Sequence, residues 1–288
     1  MTYHLYADDT QLIKKTSLAL PDQQEASDNL ASGIMKIQRW MTSNKLKLNP
    51  DKTEFLVIAS ARNSTKVAVD GISLGDAHVK RVPCARNLGV QMDASISMEN
   101  HIVSICKVCY YYLKWIKRIR HVLTPYASKA IVQALVISRL DYCNGLLVGL
   151  SCKLIQKLQR VMNMAARVIT CATRDTPSIQ LLQELHWLPM DERICFKIAV
   201  MVYKSLQGTA PCYISDLLTL DNPTRTLRSF DDLRLEIPRT RTRYGDRAFS
   251  RCGPRIWNSI PRDIRQSENE PAFRRNLKTY LFRKAFSV

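Results

Sequence analysis

The chain has no long uncharged run. Its longest stretches without Asp, Glu, Lys or Arg are 11 residues, at 142–152 and 205–215. A membrane-spanning helix takes about 20 apolar residues, so neither a transmembrane helix nor a membrane partner is expected. Nor does the start suit a signal peptide, because His4 and Asp8-Asp9 interrupt its first apolar positions. Cysteines are present but unpatterned: nine of them, spread between Cys84 and Cys252. An odd count without regular spacing does not make a disulfide framework. Reduced thiols and an intracellular protein are expected, with nucleus and cytoplasm both open. Cys106 and Cys109 form one close pair, but they share the apolar side of Ile102, Ile105, Leu113 and Ile116, and two further zinc ligands are lacking nearby. They read as core thiols. Internal repeats and long low-complexity tracts are also missing.

Acidic charge is the scarcest resource relative to its counterpart. The 288 residues hold 43 Lys and Arg against 25 Asp and Glu, a net charge of +18. Residues 1–98 are close to neutral, at 12 basic against 10 acidic groups. Residues 99–221 carry 15 against 8, and residues 222–288 carry 16 against 7. Fourteen of those last 16 cations are Arg, whose planar fork matches phosphate better than Lys does. A neutral front and basic back point to a polyanion held by the later two-thirds. A merely soluble basic surface gives the same arithmetic.

With 46% apolar residues, the chain has ordinary core-forming material, and its periodicity is readable. Tyr3, Leu5 and Ala7 alternate with polar positions, Asp8-Asp9 supplies a turn, and residues 11–13 return. Pro21-Asp22 opens a helix with Ala26, Leu30, Ile34, Ile37 and Met41 on one face, ending near Ser43-Asn44. A second β section follows, with strands expected at 55–58, 66–69, 72–74, 79–82 and 88–92. Asp70-Gly71 would be a two-residue hairpin turn within it. From Glu99 to about Leu220 the pattern is helical. One stripe is Leu154, Leu158, Val161, Met162, Ala165 and Ile169; another is Ile194, Ile198, Val202 and Leu206. Residues 221–232 and 238–247 read as Arg-rich loops, and a last helix covers 271–284. The fold class is therefore α+β. Its divisions are an α+β region at 1–97, a helical region at 98–220 and a basic segment at 221–288.

Tyr6-Ala7-Asp8-Asp9 is the sharpest local feature. Adjacent carboxylates on a rigid turn can hold the divalent cations of phosphoryl transfer, and hard oxygen ligands suit Mg2+ or Mn2+. Asp also favours turns for purely local hydrogen-bonding reasons. On the tetrapeptide alone both readings stand.

The flanking residues favour the first. Residues 6–12, Tyr-Ala-Asp-Asp-Thr-Gln-Leu, resemble motif C of reverse transcriptases. Trp40-Met41 and residues 46–54 resemble the motif D region of non-LTR, LINE-type retrotransposon enzymes, and Asn87-Leu88-Gly89-Val90 resembles their motif E hairpin. Further similarity runs through residues 139–144, 158–160, 186–189, 245–250, 256–258 and 277–282. In that order they resemble the tail of vertebrate LINE-type polyproteins of the chicken-repeat kind.

The resemblance implies RNA-directed DNA synthesis on a partial polymerase palm, followed by a thumb-like helical region. It implies Asp8 as a metal ligand with Asp9 beside it, and Mg2+ or Mn2+ as cofactor. Tyr6 and Ala7 would lie near the primer terminus, Lys52 beside the incoming triphosphate, and Leu88, Gly89 and Val90 against the primer end. Lys52 reads equally well as a surface-loop residue. The implied partners are an RNA template, a DNA primer and deoxynucleotide triphosphates. In the family the fingers and motif A, with a further metal-binding aspartate, precede motif C. Only five residues precede Tyr6 here, so a missing N-terminal half is expected, and inactivity of these residues alone with it. Metal binding by Asp8-Asp9 alone should be weak.

Two basic features remain. Lys107, Tyr110, Tyr111, Lys114, Lys117 and Arg118 fall opposite the apolar side of the helix after Glu99. Cations interleaved with rings can hold phosphates and stack on bases; a solvated face with packed tyrosines is the rival. Arg239, Arg241 and Arg243 sit in a segment without apolar periodicity and suit phosphate contacts. Trp187 and Trp257 read as core anchors, and His186 as structural. The alternatives to a polymerase fragment are a non-catalytic RNA- or DNA-binding module and a functionless remnant of a decayed element.

Overall fold

The computed structural model describes residues 1–60, 62–74, 77–221 and 233–287. It mixes helix with small antiparallel hairpins and divides into two compact units, Met1–His101 and Ile102–Val288. No helix among the described residues is long and apolar enough to cross a membrane.

The first unit opens with β1 (Thr2–Tyr6) and β2 (Asp9–Ile13), paired antiparallel with Tyr6 opposite Asp9. The tight turn is therefore Ala7-Asp8. Helix α1 (Leu20–Ser43) follows, with Pro21 in its first turn, where a missing N–H costs nothing. Its expected stripe is shallow: Ala26 is buried, whereas Leu30, Ile34, Ile37 and Met41 are half-buried. Gly33 lets Met1 and Leu12 approach the helix; a Cβ there would lie 2.8 Å from the Met1 methyl.

The second β section departs from its periodicity. β3 (Gly71–Leu74) pairs with β4 (Ala77–Lys80), not with residues 66–69, so Asp70-Gly71 is not the hairpin turn. Buried Gln23 supplies the reason. Its amide donates to the Lys66 carbonyl (3.0 Å) and accepts from the Ala68 N–H (3.0 Å), taking the backbone groups a strand there would need. Residues 55–58 likewise form no strand. Phe55 bridges Arg81, and its carbonyl accepts from the Val82 N–H. The expected strand at 88–92 begins at Val90: Leu88 and Gly89 are a turn with φ of 43° and 83°. That double left-handed turn matches strand twist and joins β5 (Cys84–Asn87) to β6 (Val90–Asp93).

The second unit is almost wholly helical. Helix α2 (Glu99–Ile119) enters it, followed by α3 (Pro125–Val132), a π turn at Gln133–Ile137 and α4 (Ser138–Asp141). A 3-10 turn at Asn144–Leu147 leads to α5 (Cys152–Thr170), then α6 (Ser178–Glu184), α7 (Met190–Leu206) and α8 (Cys212–Ser215). Leu158, Val161, Met162 and Ala165 are fully buried on α5, each side chain of Leu or Val size contributing about 1.5–3 kcal/mol. Arg120 closes the end of α5, donating to the carbonyls of Val168 (3.0 Å) and Ile169 (2.8 Å), acceptors the helix itself leaves open.

The expected loop at 221–232 falls almost entirely outside the described residues. Of the expected loop at 238–247, the end is helical: α9 (Arg243–Arg247), with Thr242 accepting from the Gly245 N–H, leads into α10 (Phe249–Asn258). α11 (Arg262–Arg265) and α12 (Glu270–Phe286) complete the unit, Asn269 capping α12. α10 and α12 pack on α7. There Tyr203 stacks on Phe273 at 4.3 Å and Trp257 lies 5.7 Å from the same ring. Trp187 and Trp257 are buried, in keeping with core anchors.

Candidate nucleic-acid interface

Asp8 and Asp9 stand at the tip of the first hairpin, both exposed. Asp9 is fixed as the first residue of β2, while Asp8 shares the turn with Ala7. Ala7 has φ of 51°, a left-handed conformation that costs a non-glycine residue about 1–3 kcal/mol. The whole of β1 is exposed, with Tyr3 and Tyr6 each at 68%. Two adjacent carboxylates fit part of the oxygen shell of a hard cation. Among the described residues no group of three His, Cys, Asp or Glu side chains gathers around them or elsewhere.

Lys52 ends a 3-10 turn, Pro50–Lys52, whose start is capped by the Asn49 side chain accepting from the Asp51 N–H. It is exposed. Nearby Glu54 accepts from the Arg86 N–H at 2.8 Å, tying this segment to β5. Leu88 and Gly89 form the β5–β6 turn and Val90 is buried below it. Of these three, only Leu88 and Gly89 are presented for contact.

Asp93, at the end of β6, was not singled out by sequence. It accepts from the N–H groups of Ser95, Ser97 and Met98 and from both serine hydroxyls. Burial pushes its carboxyl up, but these bonds outweigh it and hold the pKa at about 2. Its role is to build the turn into α2.

On α2 the expected division of faces is observed. Ile102, Cys109, Leu113 and Ile116 are buried; Lys107, Tyr110, Tyr111, Lys114, Lys117 and Arg118 are all exposed. Trp115, absent from the sequence-based set, belongs to the same surface, 49% exposed with the Arg118 guanidinium 4.8 Å from its ring centre. Tyr111 lies edge-on to Trp115 at 6.2 Å. The i, i+4 spacing of 111 and 115 was the available signal. Cys109 is fully buried, as expected of a core thiol, and burial pushes its thiol up to about 12.

Arg239, Arg241 and Arg243 are exposed and carry no ion pair among the described residues. Other arginines of the basic segment are used structurally. Arg247 donates to the Val148 and Leu146 carbonyls, Arg251 pairs with Asp246, and buried Arg265 donates to the Ile260 carbonyl. Charge alone could not separate the two groups.

No protein-family model matches the chain, and neither a curated protein nor a solved structure is significantly similar to it.

Proposed function

We propose that the chain is part of an RNA-directed DNA polymerase of the non-LTR, LINE-type retrotransposon kind. Residues 1–97 are read as a partial palm, and the helices after it as a thumb-like region that holds template and primer. The observation that carries this reading is the Tyr6-Ala7-Asp8-Asp9 hairpin, with both carboxylates exposed at a tight, strained tip. Asp8 and Asp9 would hold Mg2+, which when bound supplies Lewis acidity for the attacking hydroxyl and the leaving oxygen. Tyr6 and Ala7 would contact the primer end, Leu88 and Gly89 would support it, and Lys52 would give a proton to pyrophosphate.

The test is Mg2+-dependent primer extension on an RNA template. These 288 residues are joined to the fingers and motif A segment of a non-LTR retrotransposon enzyme. Incorporation is expected, falling by roughly a hundredfold or more in Asp8→Ala. Incorporation that Asp8→Ala leaves unchanged would overturn the assignment. A second reading, a non-catalytic nucleic-acid-binding module, is favoured by the exposed aromatic and basic surface of α2, which needs no metal to act.

A further inference from the structure

A cleft of about 590 Å³ opens in the second unit between α3, the Asn144 turn, the 185–188 segment, α7 and α12. Its volume lies within the range of small-molecule sites. Ile137, Trp187, Leu188 and Val200 form a buried apolar floor. The lining also carries five cations, Lys129, Arg193, Lys197, Arg274 and Lys278, against one carboxylate, Asp141. Arg193 is spent on Asp141, and Arg274 on Glu270. Lys129, Lys197 and Lys278 are exposed and carry no ion pair among the described residues. They come from three different helices, so their convergence is a tertiary product.

Asn144 adds an independent observation. It is 2% exposed and lines the same cleft; its amide donates to Asp141 Oδ1 at 3.3 Å, while its own Oδ1 has no hydrogen-bond partner. A buried acceptor left unpaired is costly, and a ligand bringing an N–H into the floor relieves it. Phe196 and His186 add ring surface to the walls, His186 itself stacked on Phe282 at 5.8 Å. Three segments singled out from the sequence, 139–144, 186–189 and 277–282, meet here.

An apolar lining with an unpaired acceptor, together with a cluster of phosphate-seeking cations, describes one ligand chemistry. We propose that the cleft binds a nucleoside phosphate, its base against the apolar part of the lining and its phosphates on Lys129, Lys197 and Lys278. The cleft lies wholly within the second unit, whereas Asp8 and Asp9 belong to the first, so this site does not depend on the polymerase reading.

The experiment is calorimetric titration of the full chain with ADP, inorganic pyrophosphate, a 5′-phosphorylated tetra-adenylate and a poly-glutamate peptide. ADP is expected to bind at least about tenfold more tightly than pyrophosphate. The triple variant K129A/K197A/K278A should weaken ADP by about tenfold or more, since each charge-assisted bond is worth a large part of such a factor. The charge-preserving variant K129R/K197R/K278R should stay within about threefold of the parent. All six substitutions are at exposed positions, and circular dichroism checks that the variants fold. Tetra-adenylate binding tighter than ADP, with the same lysine dependence, assigns the site to the end of a strand; weaker binding assigns it to the free nucleotide. Pyrophosphate binding as tightly as ADP, ADP binding indifferent to the lysines, or preferential binding of poly-glutamate would each overturn the proposal.

Discussion

Asp93 shows how one residue can organise a junction that the sequence pattern does not reveal. Five donors converge on its two oxygens at the entry to α2. Its folded pKa, about 2, lies below its ordinary value of 3.8. The stabilisation is therefore fully present above pH 4 and is lost as pH falls from about 4 to 2. It should amount to on the order of 2 kcal/mol. Urea midpoints of the parent should fall through that window, while those of Asp93→Asn should fall less. An identical acid response in both would show that Asp93 contributes nothing. Spacing could not have found this residue, because its partners are backbone N–H groups and serines, which are common to turns of many kinds. Trp115 is the opposite case: its place beside Tyr111 follows from helical periodicity alone.

Among the elements, the first hairpin and the central helices stand at opposite ends of the stability range. β1 and β2 pair only with each other among the described residues, and β1 is exposed throughout. A two-stranded ribbon is marginal in water, and exposed backbone hydrogen bonds open readily. Amide exchange at residues 2–13 should be far faster than at α5 and α7, as hydrogen-exchange mass spectrometry would measure. Uniform protection across both would sink this expectation. The outer edge of β1, with no strand beside it among the described residues, is also a site for added strands. The end of α5 offers a second check. Arg120→Ala removes the side chain that satisfies the Val168 and Ile169 carbonyls and should cost about 1–3 kcal/mol by chemical denaturation. Loss of nucleic-acid affinity without loss of stability would instead place Arg120 on the binding surface.

Across the whole molecule the net charge of +18 overstates what a polyanion can use. Arg120, Arg247, Arg251 and Arg265 serve backbone carbonyls or an ion pair, whereas Arg239, Arg241, Arg243 and the α2 cations face outward. RNA binding by the full chain should weaken with salt, each neutralised phosphate contributing roughly −0.7 to −0.9 to the slope of log affinity against log salt. Replacing Arg239, Arg241 and Arg243 together should make that slope shallower by about 2 and lower the affinity. Filter binding at four salt concentrations decides it, and a flat response in the parent would rule out the electrostatic reading.

The mix of helix and antiparallel hairpins, the course of α1, α5, α7 and α12, the exposed side of α2 and the first hairpin were legible in the sequence, although the hairpin turn lies at Ala7-Asp8 rather than Asp8-Asp9. These are local properties: turn chemistry and apolar repeats act over a few residues, and the chain carries them wherever it folds. Tertiary structure decided the rest. Gln23 took the backbone groups at Lys66 and Ala68, so a segment with strand-like residues made no strand. Leu88 and Gly89 became a turn, and the 238–247 loop ended in a helix. The cleft that joins Lys129, Lys197 and Lys278 to Trp187 was illegible in the same way. Each depends on which distant group reaches a donor, an acceptor or an apolar surface first, and that competition is settled only when the helices pack.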